Sequence, residues 1–168
     1  AKRHAMMVKT LSLHGCSANN FERRPAAGRR QEECVSLVKH PGKIRLGMIG
    51  MTEGNVHPYS WSAIFNGYDR ERMTAECPFA GIPEYLNKEP PGTLRIQGAQ
   101  VTHIYCNRRQ DAEQVARCAL IPNVVDAPEE LIGAVDAVII ATDIGSEHAE
   151  RARPFVEAGL PLFIDKPL

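Results

Sequence analysis

The sequence has no long apolar run and few aromatic residues, which make up 6% of its 168 residues and include one tryptophan, Trp61. No stretch approaches the ~18 consecutive apolar residues of a membrane-spanning helix, so we expect no membrane partner. The amino-terminal segment also lacks the sustained apolar core of a secretory signal. The remaining composition is that of a soluble globular chain, with one domain expected from the length.

Cysteine pairs at short spacing are also missing. The five cysteines are Cys16, Cys34, Cys77, Cys106 and Cys118, and no two of them form a C-x-x-C motif. An odd number with irregular spacing argues against a disulfide framework and a zinc ribbon, and favours a reducing compartment. We therefore predict a cytoplasmic location and no metal site.

Net charge is zero overall, but it is unevenly distributed. Residues 1–42 carry eight basic and three acidic side chains, a net charge of +5, so the rest carries −5. No helical stripe or interleaved aromatic platform accompanies the basic residues, which argues against nucleic-acid binding. We predict a poorly ordered basic extension over residues 1–42, which begins with alanine and need not be the natural start. Nucleic-acid binding through this extension, a weaker alternative, predicts steeply salt-dependent affinity.

Residues 44–55, Ile-Arg-Leu-Gly-Met-Ile-Gly-Met-Thr-Glu-Gly-Asn, organise the rest of the chain. An apolar strand stops at Gly50, a turn follows, and residues 56–65 are compatible with a helix that has Pro58 near its start. Such a unit offers backbone N–H groups and the helix dipole to a dinucleotide diphosphate. The usual G-x-G-x-x-G pattern has only its first glycine here, with Thr52 and Asn55 at the other two positions and an additional Gly54. An ordinary strand-to-helix turn is the alternative.

Strands and helices alternate along the remainder of the chain. The hydrophobic pattern predicts strands at residues 101–106, 123–126, 136–141 and 160–164, and helices at 111–120, 128–133 and 146–158. Residues 66–100 are rich in proline and predict an irregular insertion, with one helical turn at 82–86. The alternation predicts an α/β fold, a doubly wound parallel sheet (Rossmann fold) with helices on both faces, over residues 43–168.

Ligands of such sheets bind beyond the carboxyl ends of the strands. The loops expected there are residues 50–55, 106–109, 141–145 and 165–167. We therefore expect the functional residues in these four loops.

The carboxyl-terminal part carries a recognisable order of motifs. Residues 136–142 read Asp-Ala-Val-Ile-Ile-Ala-Thr, residues 148–150 read His-Ala-Glu, and residues 155–168 end in Ile-Asp-Lys-Pro-Leu. This order resembles the cofactor domain of the glucose–fructose oxidoreductase, inositol 2-dehydrogenase and rhizopine-catabolism family (Gfo/Idh/MocA). That family shows an Ala-Thr-Pro turn, a His-Ala-Glu in the next helix and a Glu-Lys-Pro after the following strand. The resemblance covers about residues 43–168.

The resemblance implies an NAD(P)-dependent oxidoreductase that transfers hydride between nicotinamide and a sugar, inositol or related polyol. By position, Lys166 matches the family lysine that contacts cofactor and substrate and assists proton transfer. The family continues into a second domain that holds the substrate and forms the oligomer interface. We therefore expect this chain to bind cofactor without substantial turnover, and the full-length protein to be a homo-oligomer. A non-catalytic dinucleotide-binding or sensing module is the alternative.

Three departures from the family pattern bear on the cofactor. Asp165 replaces glutamate, Asp143 replaces the proline after Ala-Thr, and the second strand is not followed by an acidic residue. Arg108 and Arg109 stand there and favour NADP over NAD through its 2′-phosphate, unless both are simply solvated. The candidate cofactor-binding residues are Gly50, Met51, Thr52, Gly54, Asn55, Asn107, Arg108, Arg109, Ala141, Thr142, Asp143, His148, Asp165 and Lys166, with Lys166 also catalytic.

Overall fold

The computed structural model describes residues 38–90 and 92–165. In these residues five strands form one sheet in the order β3-β2-β1-β4-β5, with all neighbours parallel. The strands are β1 (Ile44–Ile49), β2 (Ala99–Tyr105), β3 (Asn123–Val124), β4 (Ala137–Ile140) and β5 (Leu162–Ile164). The predicted doubly wound parallel sheet is therefore confirmed.

Five α-helices and one 3₁₀ helix connect the strands within the described residues. They are α1 (His57–Asn66), α2 (Arg70–Glu76), α3 (Gly81–Leu86), α4 (Arg109–Ala119), the 3₁₀ helix Pro128–Leu131 and α5 (Gly145–Glu157). None of them is both long and apolar enough to cross a bilayer.

Two hydrophobic clusters lie on opposite faces of the sheet. Met48 of β1 joins the cluster that contains Tyr59 of α1 and Val115 of α4. The next residue, Ile49, joins the cluster that contains Phe155 of α5. Because successive side chains of a strand point to opposite faces, β1 contributes to both cores. Helices therefore cover both faces, as the sequence predicts.

The region between α1 and β2 is more ordered than its sequence suggests. Residues 66–100 were expected to hold one helical turn, which α3 confirms, but α2 was missed. Asp69 caps α2 by accepting a hydrogen bond from the Arg72 N–H, and Met73 and Leu86 are fully buried. The predicted helix at 128–133 is only a 3₁₀ turn.

A buried amide ties the end of α1 to β2. Asn66 donates to the carbonyl oxygens of Val101 at 2.8 Å and Ala119 at 3.2 Å, and it accepts from the Val101 N–H at 2.9 Å. β3 pairs with β2 only from His103 onward, so it does not reach Val101. Asn66 supplies the hydrogen bonds that β3 leaves unmade there.

The predicted extension over residues 1–42, with Cys16 and Cys34, lies almost entirely outside the described residues. Lys166, Pro167 and Leu168 also lie outside them.

Candidate functional site

A cleft of 790 Å³ opens at the carboxyl edge of the sheet. It lies at the switch point, because the connections after β1 and β4 leave in opposite directions along the sheet. Loops after β1, β2 and β4 line it, together with the connection between α2 and α3. The lining residues are Met51, Thr52, Glu53, Gly54, Val56, Pro78, Phe79, Asn107, Arg108, Asp111 and Ile144.

Gly50 lets α1 approach the end of β1 closely. A Cβ atom added at Gly50 would lie 2.6 Å from Cγ of Pro58 and 3.7 Å from Cβ of Ala141. No side chain fits at that distance, so glycine is required here for packing. The Gly50 N–H donates to the Tyr105 carbonyl at 3.2 Å, which joins the start of the loop to the end of β2.

Asn55 fixes the loop that follows. The residue is 5% exposed, and its side chain donates to the Ala141 carbonyl at 2.8 Å and accepts from the His57 N–H at 3.0 Å. The Asn55 N–H closes a tight turn on the Thr52 carbonyl at 3.1 Å, and Gly54 within that turn has a φ of 81°. One amide therefore holds the loop after β1 against both α1 and the end of β4.

The beginning of α1 does not offer the free N–H groups that the sequence predicts. The His57 N–H is bonded to Asn55, Pro58 has none, and the Tyr59 N–H donates to the Val56 carbonyl at 3.1 Å. Only the helix dipole remains as a general attraction for an anion at these three positions. The expectation of unpaired donors there is wrong.

Thr52, which departs from the G-x-G-x-x-G pattern, contacts Asp143, which departs from the family pattern. The Thr52 hydroxyl donates to the Asp143 carboxylate, although the residues are 91 positions apart. Thr52 is half-buried in the cleft wall and Asp143 is exposed. This bond joins the loop after β1 to the loop after β4.

The two arginines after β2 are already paired with carboxylates. Arg108 lines the cleft and bonds to both oxygens of Asp111, at 2.9 and 2.8 Å. Arg109 bonds to Glu113 at 2.9 Å and pairs with Asp126, and it is not part of the cleft lining. The structure thus brings one of the two predicted phosphate partners to the cleft. Sequence reasoning missed Asp111; its place in the first turn of α4 was the signal available.

Of the two residues that follow β2, Asn107 faces the cleft and Cys106 is buried. Asn107 lines it and accepts a hydrogen bond from Arg151 of α5 at 3.2 Å. Cys106 is buried, and that burial raises the pKa of its thiol to about 12. A neutral buried thiol is not a nucleophile.

Thr142 and His148 lie beneath the loop after β4. His148 is 2% exposed, and its Nε2 donates to the Thr142 carbonyl at 2.9 Å. Its Nδ1 and the Thr142 hydroxyl are buried, and neither has a partner in the part of the chain that the structure describes. Ala141 donates its N–H to the Ile49 carbonyl at 2.7 Å. These three candidates support the loop rather than line the cleft.

Asp165 lies at the carboxyl edge of the sheet, directly after β5. It is 7% exposed, and its Oδ2 lies 2.5 Å from Nδ1 of His57. The His57 ring stacks on Trp61 with centroids 5.0 Å apart, and Trp61 meets Phe163 edge-on at 5.5 Å. This cluster couples β5 to the start of α1.

The predicted catalytic residue, Lys166, lies outside the described residues. In the described part of the chain, no group of three or more His, Cys, Asp or Glu side chains is arranged to hold a metal ion.

Comparison with known proteins gives one family and several structures of similar fold. The family model described as the Gfo/Idh/MocA oxidoreductase family, NAD-binding Rossmann fold, matches residues 44–168. Similar solved structures include apo scyllo-inositol dehydrogenase from Lactobacillus casei, with 15% identity, a TM-score of 0.49, and coverage of 76% of this chain and 30% of that one. No curated protein sequence matches the chain significantly.

Two further structures are similar to the same extent. UDP-N-acetylglucosamine 3-dehydrogenase from Acidithiobacillus ferrooxidans has 20% identity and a TM-score of 0.46, with 74% of this chain and 30% of that one covered. Myo-inositol dehydrogenase from Lactobacillus casei, in complex with NAD(H) and myo-inositol, has 18% identity and a TM-score of 0.48, with 75% and 29% covered. The chain thus spans about 30% of the length of these proteins. Since the family model covers most of the chain, the chain belongs to the Gfo/Idh/MocA oxidoreductase family and carries its NAD-binding Rossmann fold.

Proposed function

We propose that the cleft at the carboxyl edge binds a nicotinamide dinucleotide. The observation that carries this proposal is the position of the cleft at the switch point, where the loops after β1, β2 and β4 meet. In this arrangement the diphosphate lies over the loop of residues 51–55, the adenosine ribose lies near Asn107 and Arg108, and the nicotinamide lies towards Asp165.

A fluorescence titration tests this proposal. Trp61 lies on α1 in contact with His57, close to the proposed diphosphate site. We expect NADH to quench Trp61 saturably, with energy transfer to the reduced nicotinamide. An ADP-ribose competitor should reverse the signal, since it carries the same diphosphate. A linear, non-competable signal would contradict the proposal.

The choice between NAD and NADP depends on Arg108. Binding of a 2′-phosphate requires this side chain to leave Asp111, whereas a ribose diol needs an acceptor that Asp111 already provides. We therefore propose NAD as the cofactor that the cleft favours, in place of the NADP that Arg108 and Arg109 suggest from the sequence. Asp111→Asn should shift the ratio of NADPH to NADH affinity towards NADPH, because it releases Arg108. Glu113→Gln, which removes one of the two carboxylate partners of Arg109 outside the cleft, is the matched control and should leave the ratio unchanged.

In the whole protein we propose hydride transfer between the cofactor and a hydroxyl-bearing carbon of a sugar, inositol or related polyol. Lys166, next to Asp165 in sequence, would stabilise the developing alkoxide and relay its proton. Nicotinamide supplies the hydride chemistry, and this chain binds and orients the cofactor. A version extended beyond residue 168 should show turnover that Lys166→Ala abolishes, with NADH binding still detectable.

A non-catalytic dinucleotide sensor is the second candidate. The bond between Thr52, which stands in place of the usual glycine, and Asp143, which stands in place of the usual proline, favours it. NADH binding by the extended version, without turnover of any polyol tested, would favour the sensor over the enzyme.

A further inference from the structure

Two donors beside the loop of residues 51–55, where the diphosphate is proposed to lie, are already bonded within the chain. The Thr52 hydroxyl is directed at the Asp143 carboxylate, and the His57 N–H at the Asn55 side chain. A hydroxyl has only one proton to donate, so Thr52 cannot serve Asp143 and a phosphate oxygen at the same time. The two acceptors compete for it.

The charge of the cleft adds to this competition. Arg108 and Asp111 neutralise each other, which leaves the exposed Glu53 as the uncompensated charge of the lining. Asp143 adds a second negative charge beside Thr52. No other lysine or arginine lines the cleft within residues 38–90 and 92–165. A diphosphate at the switch point therefore meets carboxylates of its own sign.

We propose that Asp143 sets the affinity for the dinucleotide by holding the cofactor-free cleft in a low-affinity state. Binding requires the Thr52 hydroxyl to leave the carboxylate and turn to the diphosphate, against the repulsion of Asp143. The inference rests on the proposed function. Within that site, the Asp143 carboxylate competes with the diphosphate for the Thr52 hydroxyl. In the whole protein such a competitor favours release of the cofactor.

Two variants of Asp143 measure the effect. Asp143→Ala removes both the charge and the acceptor, and Asp143→Asn removes the charge but retains an acceptor for Thr52. We expect NADH to bind roughly three- to ten-fold more tightly to both, because one like charge is removed from an exposed and therefore screened position. The Ala variant should show the larger gain.

Thr52→Val distinguishes the effect of the Thr52 hydroxyl from that of the Asp143 charge. It removes the donor with little change in shape, so NADH affinity should not rise above that of the wild-type chain. In the double variant Thr52→Val with Asp143→Ala, the gain from Asp143→Ala should shrink, because no hydroxyl remains to be released. This coupling distinguishes competition for the hydroxyl from repulsion alone.

Salt dependence provides an independent measurement. Screening weakens repulsion between exposed charges, so wild-type affinity should rise between about 0.02 M and about 0.3 M ionic strength. The rise should be smaller for Asp143→Asn. Glu157→Gln is the matched control, since it removes the same charge from an exposed position at the end of α5, at the opposite edge of the sheet. Its NADH affinity should equal that of the wild-type chain.

The decisive experiment is NADH titration of the 168-residue chain and these variants, after circular dichroism has shown each variant to be folded. Tighter binding by both Asp143 variants, with Glu157→Gln unchanged, supports the inference. Equal or weaker binding by a folded Asp143→Ala overturns it and leaves the proposed function intact. Absence of NADH binding in every folded variant overturns the proposed function and the inference with it.

Discussion

Replacing Asn55 by alanine should destabilise the chain and loosen the loop after β1. The change removes the donor to the Ala141 carbonyl and the acceptor from the His57 N–H. Ala141 is fully buried, so its carbonyl cannot turn to water instead, while the half-buried His57 N–H can be partly hydrated. A buried polar group left unpaired costs about 1–3 kcal/mol, so we expect a loss of about 2–4 kcal/mol in the free energy of unfolding.

Asn66→Ala is the matched control. Asn66 is also a buried amide of the α1 region, with side-chain hydrogen bonds to Val101, Ala119 and Leu120, but it lies at the other end of α1. Urea unfolding followed through Trp61 should give a similar loss for both variants. Amide hydrogen exchange should then separate them, with faster exchange in residues 51–57 only for Asn55→Ala. A loss below about 0.5 kcal/mol, or unchanged exchange in that loop, would refute the role assigned to Asn55.

Three further predictions concern packing, pH and backbone strain. Gly50→Ala should lower the free energy of unfolding by about 1–3 kcal/mol and weaken NADH binding, because the new Cβ overlaps Pro58. Gly42→Ala is the control and should change neither quantity, because its Cβ would have no atom within 4 Å. The hydrogen bonds from Arg45 lower the pKa of Asp136 to about 2 from 3.8, so this carboxylate stabilises the fold above pH ~4, and the contribution is lost as the pH falls towards ~2. Asp136→Asn should thus be less stable at neutral pH and should lose less stability across that window, as acid unfolding will measure. Leu120→Gly should keep or raise the unfolding temperature, because Leu120 has a φ of 55° after α4 and glycine adopts that conformation without strain; a clear fall would contradict this.

Features with a strong local signal were predictable from the sequence. The apolar runs of β1 and β4 stand out because central parallel strands are buried on both faces. The helix predicted at residues 111–120 is present, and four of its apolar side chains are buried: Ala112, Val115, Ala116 and Ala119. α2 was missed because Met73 is its only buried residue, too few to produce a helical period. Its position depends on packing against α4 rather than on its own pattern.

The details of the candidate site depend on contacts between distant parts of the chain. Thr52 meets Asp143 across 91 positions, and Asn55 meets Ala141 across 86. No local pattern reports such pairs, so the loops could be predicted while the partners within them could not. The N–H groups at the start of α1 could not be predicted for the same reason. The His57 N–H is bonded to the Asn55 side chain, which is itself bonded to the Ala141 carbonyl just after β4.

The central claim is that the dinucleotide binds at the switch point of the sheet. Titration of the ¹⁵N-labelled chain with NADH, followed by the amide resonances, tests it most directly. The account predicts saturable shifts confined to residues 51–57, 107–111, 143–145 and 165. Shifts concentrated elsewhere, or no shifts at saturating NADH with the chain folded, would contradict it.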